Sequence, residues 1–133
     1  INPNEPEYWY VFAEVQEKLG FIEEAAMAYQ RVIELGYPDY DVWLDYSKLL
    51  HHNSYIDDAI NTLNDGLQKF PDVVELYYRL SVLLLDRQRR KESLDVLAKA
   101  LEMDHTKHNE LFEYAPVLKD DSEILSLISN LKK

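Results

Sequence analysis

Residues of like size return along this chain every 34 positions. Trp9, Trp43, Tyr77 and Leu111 form one such series, and Ala25 and Ala59 belong to another. A recurrence of this length, held without insertions, restricts the fold to stacked units that each bury too little apolar surface to stand alone. Three frames follow, 6–39, 40–73 and 74–107, with a partial fourth at 108–133.

The positions within a frame alternate in a way that predicts helix packing. Position 7 is large in every frame, as Phe12, Tyr46, Leu80 and Tyr114. Position 8 is small, as Ala13, Ser47, Ser81 and Ala115, and position 20 is small as Ala25, Ala59 and Ser93. Position 24 is large again, as Tyr29, Leu63, Leu97 and Leu131. Positions 4, 7, 8 and 11 share one face of a first helix, and 20, 24, 27 and 28 one face of a second. Small residues let the two helices approach, and large ones fill the space beside the contact. Gly20 and the run "HHNS" at 51–54 mark the turns, and Pro38 and Pro71 sit where frames end.

The stretches "WYVFA" (9–13), "EEAAMAYQRVIEL" (23–35), "DDAINTLNDGLQKFP" (57–71) and "ESLDVLAKALEMD" (92–104) resemble the tetratricopeptide repeat (TPR) family. The resemblance covers nearly the whole chain. Departures are the family Tyr at position 11, here Gln16, Leu50 and Leu84, and the loss of a small residue at Val32. The terminal Pro is displaced to Pro38 in one frame and replaced by His105 in another. The resemblance implies an all-α fold, a right-handed α-solenoid of antiparallel helix pairs. It would comprise about three full repeats and a C-terminal capping helix pair in one domain.

Carried backwards, the register places Ile1, Asn2 and Pro3 where Met103, Asp104 and His105 fall. Residues 1–5 therefore read as the end of a preceding repeat, and the chain as the C-terminal piece of a longer one. At the other end, Pro116 should kink or split the first helix of the partial repeat. Asp120 with Glu123 suggests a capping box for the last helix. Ile124, Leu127, Ile128 and Leu131 form its apolar stripe, with Ser126, Ser129, Asn130 and Lys133 opposite, and Lys132 and Lys133 suit its C-terminus. A polar outer face is what closes a repeat array.

Composition excludes several chemistries. There is no Cys, hence no disulfide or thiolate site, which fits a reducing compartment and a cytoplasmic reading. The formal net charge of −11 disfavours nucleic acid and anionic membrane as partners. The acid is concentrated early: residues 1–39 carry eight carboxylates and two bases, whereas 74–107 carry six and seven. No apolar run reaches a membrane span.

No catalytic, cofactor-binding or metal-binding constellation emerges. His51 and His52 are adjacent and diverge by about 100° on a helix. His105 and His108 have ligand spacing but no surrounding motif, so solvated loop residues are the better account. The pairs Glu23-Glu24, Asp57-Asp58 and Asp120-Asp121 complement helix N-termini. The basic run "DRQRRKE" (86–92) reads as a solvated turn.

What remains is a surface. Positions 2, 5, 9 and 12 share the face opposite the helix contact. They hold Glu7, Tyr10, Glu14 and Glu17, then Asp41, Leu44, Lys48 and His51, then Glu75, Tyr78, Val82 and Leu85, with Asn109, Phe112 and Pro116 following. The expectation is a concave groove for a partner peptide or helix. Tyr10, Leu44, Tyr78, Val82, Leu85 and Phe112 would anchor apolar side chains, and Glu7, Glu14, Glu17 and Asp41 would attract a basic segment. One TPR subtype clamps a terminal carboxylate with basic and amide residues. Its positions here are Tyr10, Glu14, Asp45, Glu75 and Arg79, and only Arg79 fits. The expected function is a non-catalytic protein-binding scaffold. The alternatives are an architectural module, or a homodimer formed through Tyr8, Trp9 and Phe12 at the N-terminal end.

Overall fold

The computed structural model describes residues 4–131. Ile1, Asn2 and Pro3, read as the close of a preceding repeat, and the terminal Lys132 and Lys133 lie outside the described residues. Eight α-helices and no strand are present among those described. They are α1 (Pro6–Lys18), α2 (Ile22–Glu34), α3 (Asp41–His52), α4 (Ile56–Lys69), α5 (Val74–Asp86), α6 (Arg90–Met103), α7 (Asn109–Tyr114) and α8 (Ser122–Asn130). Short 3₁₀ turns occupy His105–Lys107 and Pro116–Asp120. The starts of α2, α4 and α6 are spaced by the same 34 residues as the sequence frames.

The turn inside each hairpin is built the same way three times. Gly20, Ser54 and Gln88, each 34 residues from the next, have φ of 84°, 69° and 63°. A left-handed residue just past a helix lets the chain reverse while the last carbonyls stay bonded. The N–H of Phe21 donates to the Gln16 carbonyl at 2.9 Å, Tyr55 to Leu50 at 2.8 Å, and Arg89 to Leu84 at 2.8 Å. The carbonyls of Phe21, Tyr55 and Arg89 then accept the first bonds of the following helices, from Ala25, Ala59 and Ser93. Only Gly20 adopts this conformation without a Cβ penalty.

The chain forms two compact units that divide between Ala59 and Ile60, inside α4. In the first, α1 packs on α2 and α2 on α3. Ala13 and Ala25, the small residues of the first frame, are fully buried. Tyr29 and Tyr46 stack with centroids 5.9 Å apart, and the Gln30 amide donates to the Tyr46 hydroxyl at 2.7 Å. These contacts turn the Tyr46 face of α3 towards α2.

In the second unit α5 and α6 are paired. Their small residues meet closely enough for the Ser93 hydroxyl to donate to the Ser81 carbonyl at 2.6 Å, in a buried setting. Helices α7 and α8 complete this core with Leu111, Ile124 and Ile128, and Leu118 of the 3₁₀ turn joins them. Pro116 splits the segment as its chemistry requires: α7 stops at Tyr114 and a 3₁₀ turn begins at the proline. Ile124 and Ile128 point inward, while Ser126, Ser129 and Asn130 are exposed. The cap of α8 is one residue later than the sequence suggested. Asp121, not Asp120, precedes the helix, and its carboxylate accepts the Ile124 N–H at 3.1 Å. Asp120 is used up as the last residue of the 3₁₀ turn.

The basic run is also more than a solvated turn. Arg89, the residue before α6, pairs with Glu92 in its first turn, and Arg90 reaches both Asp121 and Glu123 at the start of α8.

Candidate functional site

The residues expected to line one groove separate into three groups. Glu7, Tyr10, Glu14, Glu17, Asp41 and Lys48 lie around two adjoining cavities of the first unit. Leu44 and His51, half-buried on α3, lie outside both. Tyr78, Arg79, Val82, Leu85 and Phe112 belong to the second unit, where the core claims most of them.

Tyr78 and Val82 correct the sequence reading. Both are buried in the cluster that contains Leu111, Leu118, Ile124 and Ile128. Leu85 and Phe112 are partly buried against the same cluster. The Tyr78 hydroxyl donates to the Asp104 carbonyl at 2.9 Å, as a buried phenol must find an acceptor. Tyr78 and Val82 fill the core between α5 and the C-terminal helices and offer no apolar anchor to a partner. Arg79 lies with its guanidinium carbon 3.8 Å from the centre of the Tyr114 ring, a cation–π contact. Close by, the Lys107 ammonium meets Glu75 at 3.3 Å. Glu110 keeps one buried carboxylate oxygen without a hydrogen bond, and burial followed by the Glu75 charge pushes its pKa up.

The cavities of the first unit are where charge converges. One, of about 390 Å³, is lined by Glu7, Tyr10, Val11, Glu14, Tyr37, Asp41 and Asp45. The other, of about 380 Å³, is lined by Glu14, Glu17, Lys18, Tyr29, Asp45 and Lys48. They share Glu14 and Asp45, so they form one trough along α1 and α3. Five carboxylates border it against two lysines, and both lysines lie at the second cavity.

Phenols hold two of these carboxylates in place. The Tyr10 hydroxyl donates to Asp45, and the Tyr29 hydroxyl donates to Glu17 at 2.7 Å. Tyr10 makes edge contacts with Tyr29 and Tyr37, with centroids at 6.0 and 5.1 Å. Burial, and then the hydrogen bond to a carboxylate, raises the pKa of Tyr10 and of Tyr29 well beyond the tyrosine range. Tyr37 is raised too, by burial and then by Asp39 and Asp41. The phenols therefore stay neutral beyond the pH at which a free tyrosine ionises. Asp45, Tyr29 and Tyr37 were missed as site residues because they sit at frame positions 6, 24 and 32, outside the four positions taken to face a groove.

Among the described residues no three His, Asp or Glu side chains are gathered as metal ligands would be. His105 and His108 each engage a backbone carbonyl at 2.7 Å, that of Ile128 and that of His105. No helix of the described residues is long and apolar enough to cross a membrane.

Residues 5–121 match the family described as "Pre-mRNA-splicing factor Syf1/CRNKL1 C-terminal HAT repeat". The chain belongs to this HAT-repeat family. No curated protein matches it in sequence. Solved structures show the fold that the HAT-repeat chain shares. A crystal structure of MamA matches with a TM-score of 0.70 at 19% identity, covering 81% of this chain and 59% of that one. The chain thus spans less than two thirds of that MamA chain's length. YrrB, described as "a TPR protein with an unusual peptide-binding site", matches with a TM-score of 0.65 at 14% identity, over 97% of this chain and 70% of YrrB. SycD, the Yersinia enterocolitica type III secretion chaperone in complex with a peptide of the translocator YopD, matches with a TM-score of 0.59 at 20% identity, over 94% and 90%. The HAT-repeat chain is therefore TPR-like, all-α and built from antiparallel helical hairpins, as the 34-residue spacing led one to expect.

Proposed function

We propose that this chain is a non-catalytic protein-interaction scaffold, and that the trough between α1 and α3 takes a basic segment of a partner. The observation that carries the reading is the gathering of Glu7, Glu14, Glu17, Asp41 and Asp45 around one concavity. Tyr10 and Tyr29 donate to Asp45 and Glu17 there. A concave surface of one sign concentrates oppositely charged ligands and speeds their encounter. Tyr10 and Tyr37 add aromatic surface on which a guanidinium or ammonium stem can lie. The peptide complexes or sites named for SycD and YrrB support the class of ligand, since both share this fold.

The test is a titration of a labelled peptide of alternating Arg and Ala into the chain, read by fluorescence anisotropy at low and moderate salt. Glu7→Gln with Glu14→Gln removes two exposed carboxylates without touching the core. Affinity should fall about tenfold and the salt dependence should flatten. Equal affinity for the wild-type chain and the double variant would remove the reading.

A further inference from the structure

The two cavities of the trough share Glu14 and Asp45 but differ in what else they hold. The first adds the carboxylates of Glu7 and Asp41 and no base. The second adds Glu17 and two lysines, Lys18 and Lys48. The Glu17 carboxylate already accepts the Tyr29 hydroxyl at 2.7 Å, whereas both lysines are exposed. Helix periodicity produces this split. Lys18 stands four residues after Glu14 on α1, and Lys48 three after Asp45 on α3, so each lies one turn beyond a shared acid on the same face. A trough that is wholly acidic at one end and carries ammonium groups at the other is an oriented site. Repulsion between like charges rejects a segment laid in it the wrong way round.

The first cavity also discriminates between cations. Tyr10 and Tyr37 meet edge to face in its lining, with centroids 5.1 Å apart, and the Tyr10 hydroxyl is engaged by Asp45. Ring faces beside carboxylates suit a planar guanidinium, which stacks and makes paired hydrogen bonds at once, better than a compact, strongly hydrated ammonium.

The separation of the ends sets the spacing of the complementary groups. Asp41 and Lys48 are seven residues apart on α3, or about 10 Å along its axis. An extended segment with three residues per turn returns to the same side every third residue, after about 9 Å. We infer, resting on the reading of the trough as a site for a basic segment, that its ligand is an extended segment with an arginine and a carboxylate three residues apart. The arginine occupies the cavity of Tyr10 and Tyr37, and the carboxylate meets Lys48 and Lys18.

The test is competition read by fluorescence anisotropy. The labelled peptide of alternating Arg and Ala is bound to the full 133-residue chain and displaced by unlabelled peptides containing Arg-Ala-Ala-Glu or Glu-Ala-Ala-Arg. At least one order should compete about fivefold better than its version with Gln for Glu, and about threefold better than its version with Lys for Arg. Lys18→Ala with Lys48→Ala should abolish the preference for Glu and leave that for Arg. Circular dichroism checks the fold, and Lys48→Ala alone serves if the double variant unfolds. Equal competition by the Glu and Gln peptides, or by the Arg and Lys peptides, overturns the inference. So does a preference for Glu that survives the loss of both lysines. Each of these results leaves the basic-segment reading standing, because the labelled peptide still binds. Failure of the labelled peptide to bind removes that reading, and this inference with it.

Discussion

Arg90 spans from the first residue of α6 to the cap of α8, where its Nη2 lies 2.8 Å from one Asp121 oxygen and 3.0 Å from the other. Its Nε meets Glu123 at 2.6 Å. One guanidinium therefore ties together two acids of the same helix start, one of which also caps that helix. The arrangement fastens α8 onto α6 through groups that remain partly exposed.

Removing the cap should loosen the C-terminal helix before the rest of the second unit. Asp121→Ala is expected to cost about 1 kcal/mol, the usual loss for an N-cap. Amide exchange should accelerate first at Ser122–Asn130. Uniform acceleration across α5 and α6 would show that α8 does not open alone.

Acid should act on the same joint. Burial works to raise the Asp121 pKa, but the Ile124 N–H and Arg90 outweigh it and hold the carboxyl below its ordinary value. A depressed folded-state pKa contributes stability that is present above the unfolded value and lost as pH falls through the folded one. Protection of α8 should thus fade below about pH 4. Asp121→Asn should flatten that dependence, as read by hydrogen exchange against pH.

Alkali should reveal the opposite sign in the tyrosines. Tyr10, Tyr29 and Tyr78 are raised above the ordinary range, in each case chiefly by burial. Their contribution is complete below the unfolded tyrosine value of about 10 and is lost as pH rises beyond it. Absorbance near 295 nm should show a class of tyrosines that ionises only as helicity is lost. A single smooth titration of all tyrosines with helicity intact would refute this.

Tyr78 separates packing from recognition. Tyr78→Phe deletes the bond to the Asp104 carbonyl and should cost about 1 kcal/mol, and Tyr78→Ala about 3–5 kcal/mol. Neither should alter peptide affinity when measured where the chain is folded. Denaturant unfolding monitored by circular dichroism gives the first quantity and anisotropy the second.

The hairpin turns offer a gain in stability. Gln88 adopts φ of 63°, and a Cβ in that conformation is strained. Gln88→Gly should stabilise by about 0.5–1 kcal/mol, the relieved strain less the added freedom of the unfolded chain. A lower melting temperature for this variant would contradict the turn geometry.

The spacing of Trp9, Trp43 and Tyr77 was enough to read the hairpins and their starts, because packing of large and small residues repeats with the backbone. It was not enough to place Tyr78 and Val82. The face they occupy would be open in a repeat followed by another like it. Pro116 and the 3₁₀ turns break the register after α6, and the residues beyond them cover that face. Asp121 displaced Asp120 for the same reason: the length of the 3₁₀ turn, which no periodicity encodes, set the cap. Asp45 joined the trough through its phenol partner Tyr10, a contact between frames that the period within a frame does not specify.

The left-handed turn at Gly20, Ser54 and Gln88 has an evolutionary consequence. Three junctions with interchangeable hydrogen bonding make chain length in this region quantised. Duplication or excision of whole 34-residue blocks rejoins the backbone at an equivalent bond, whereas an insertion at one of these junctions breaks the reversal and the helix start that follows it.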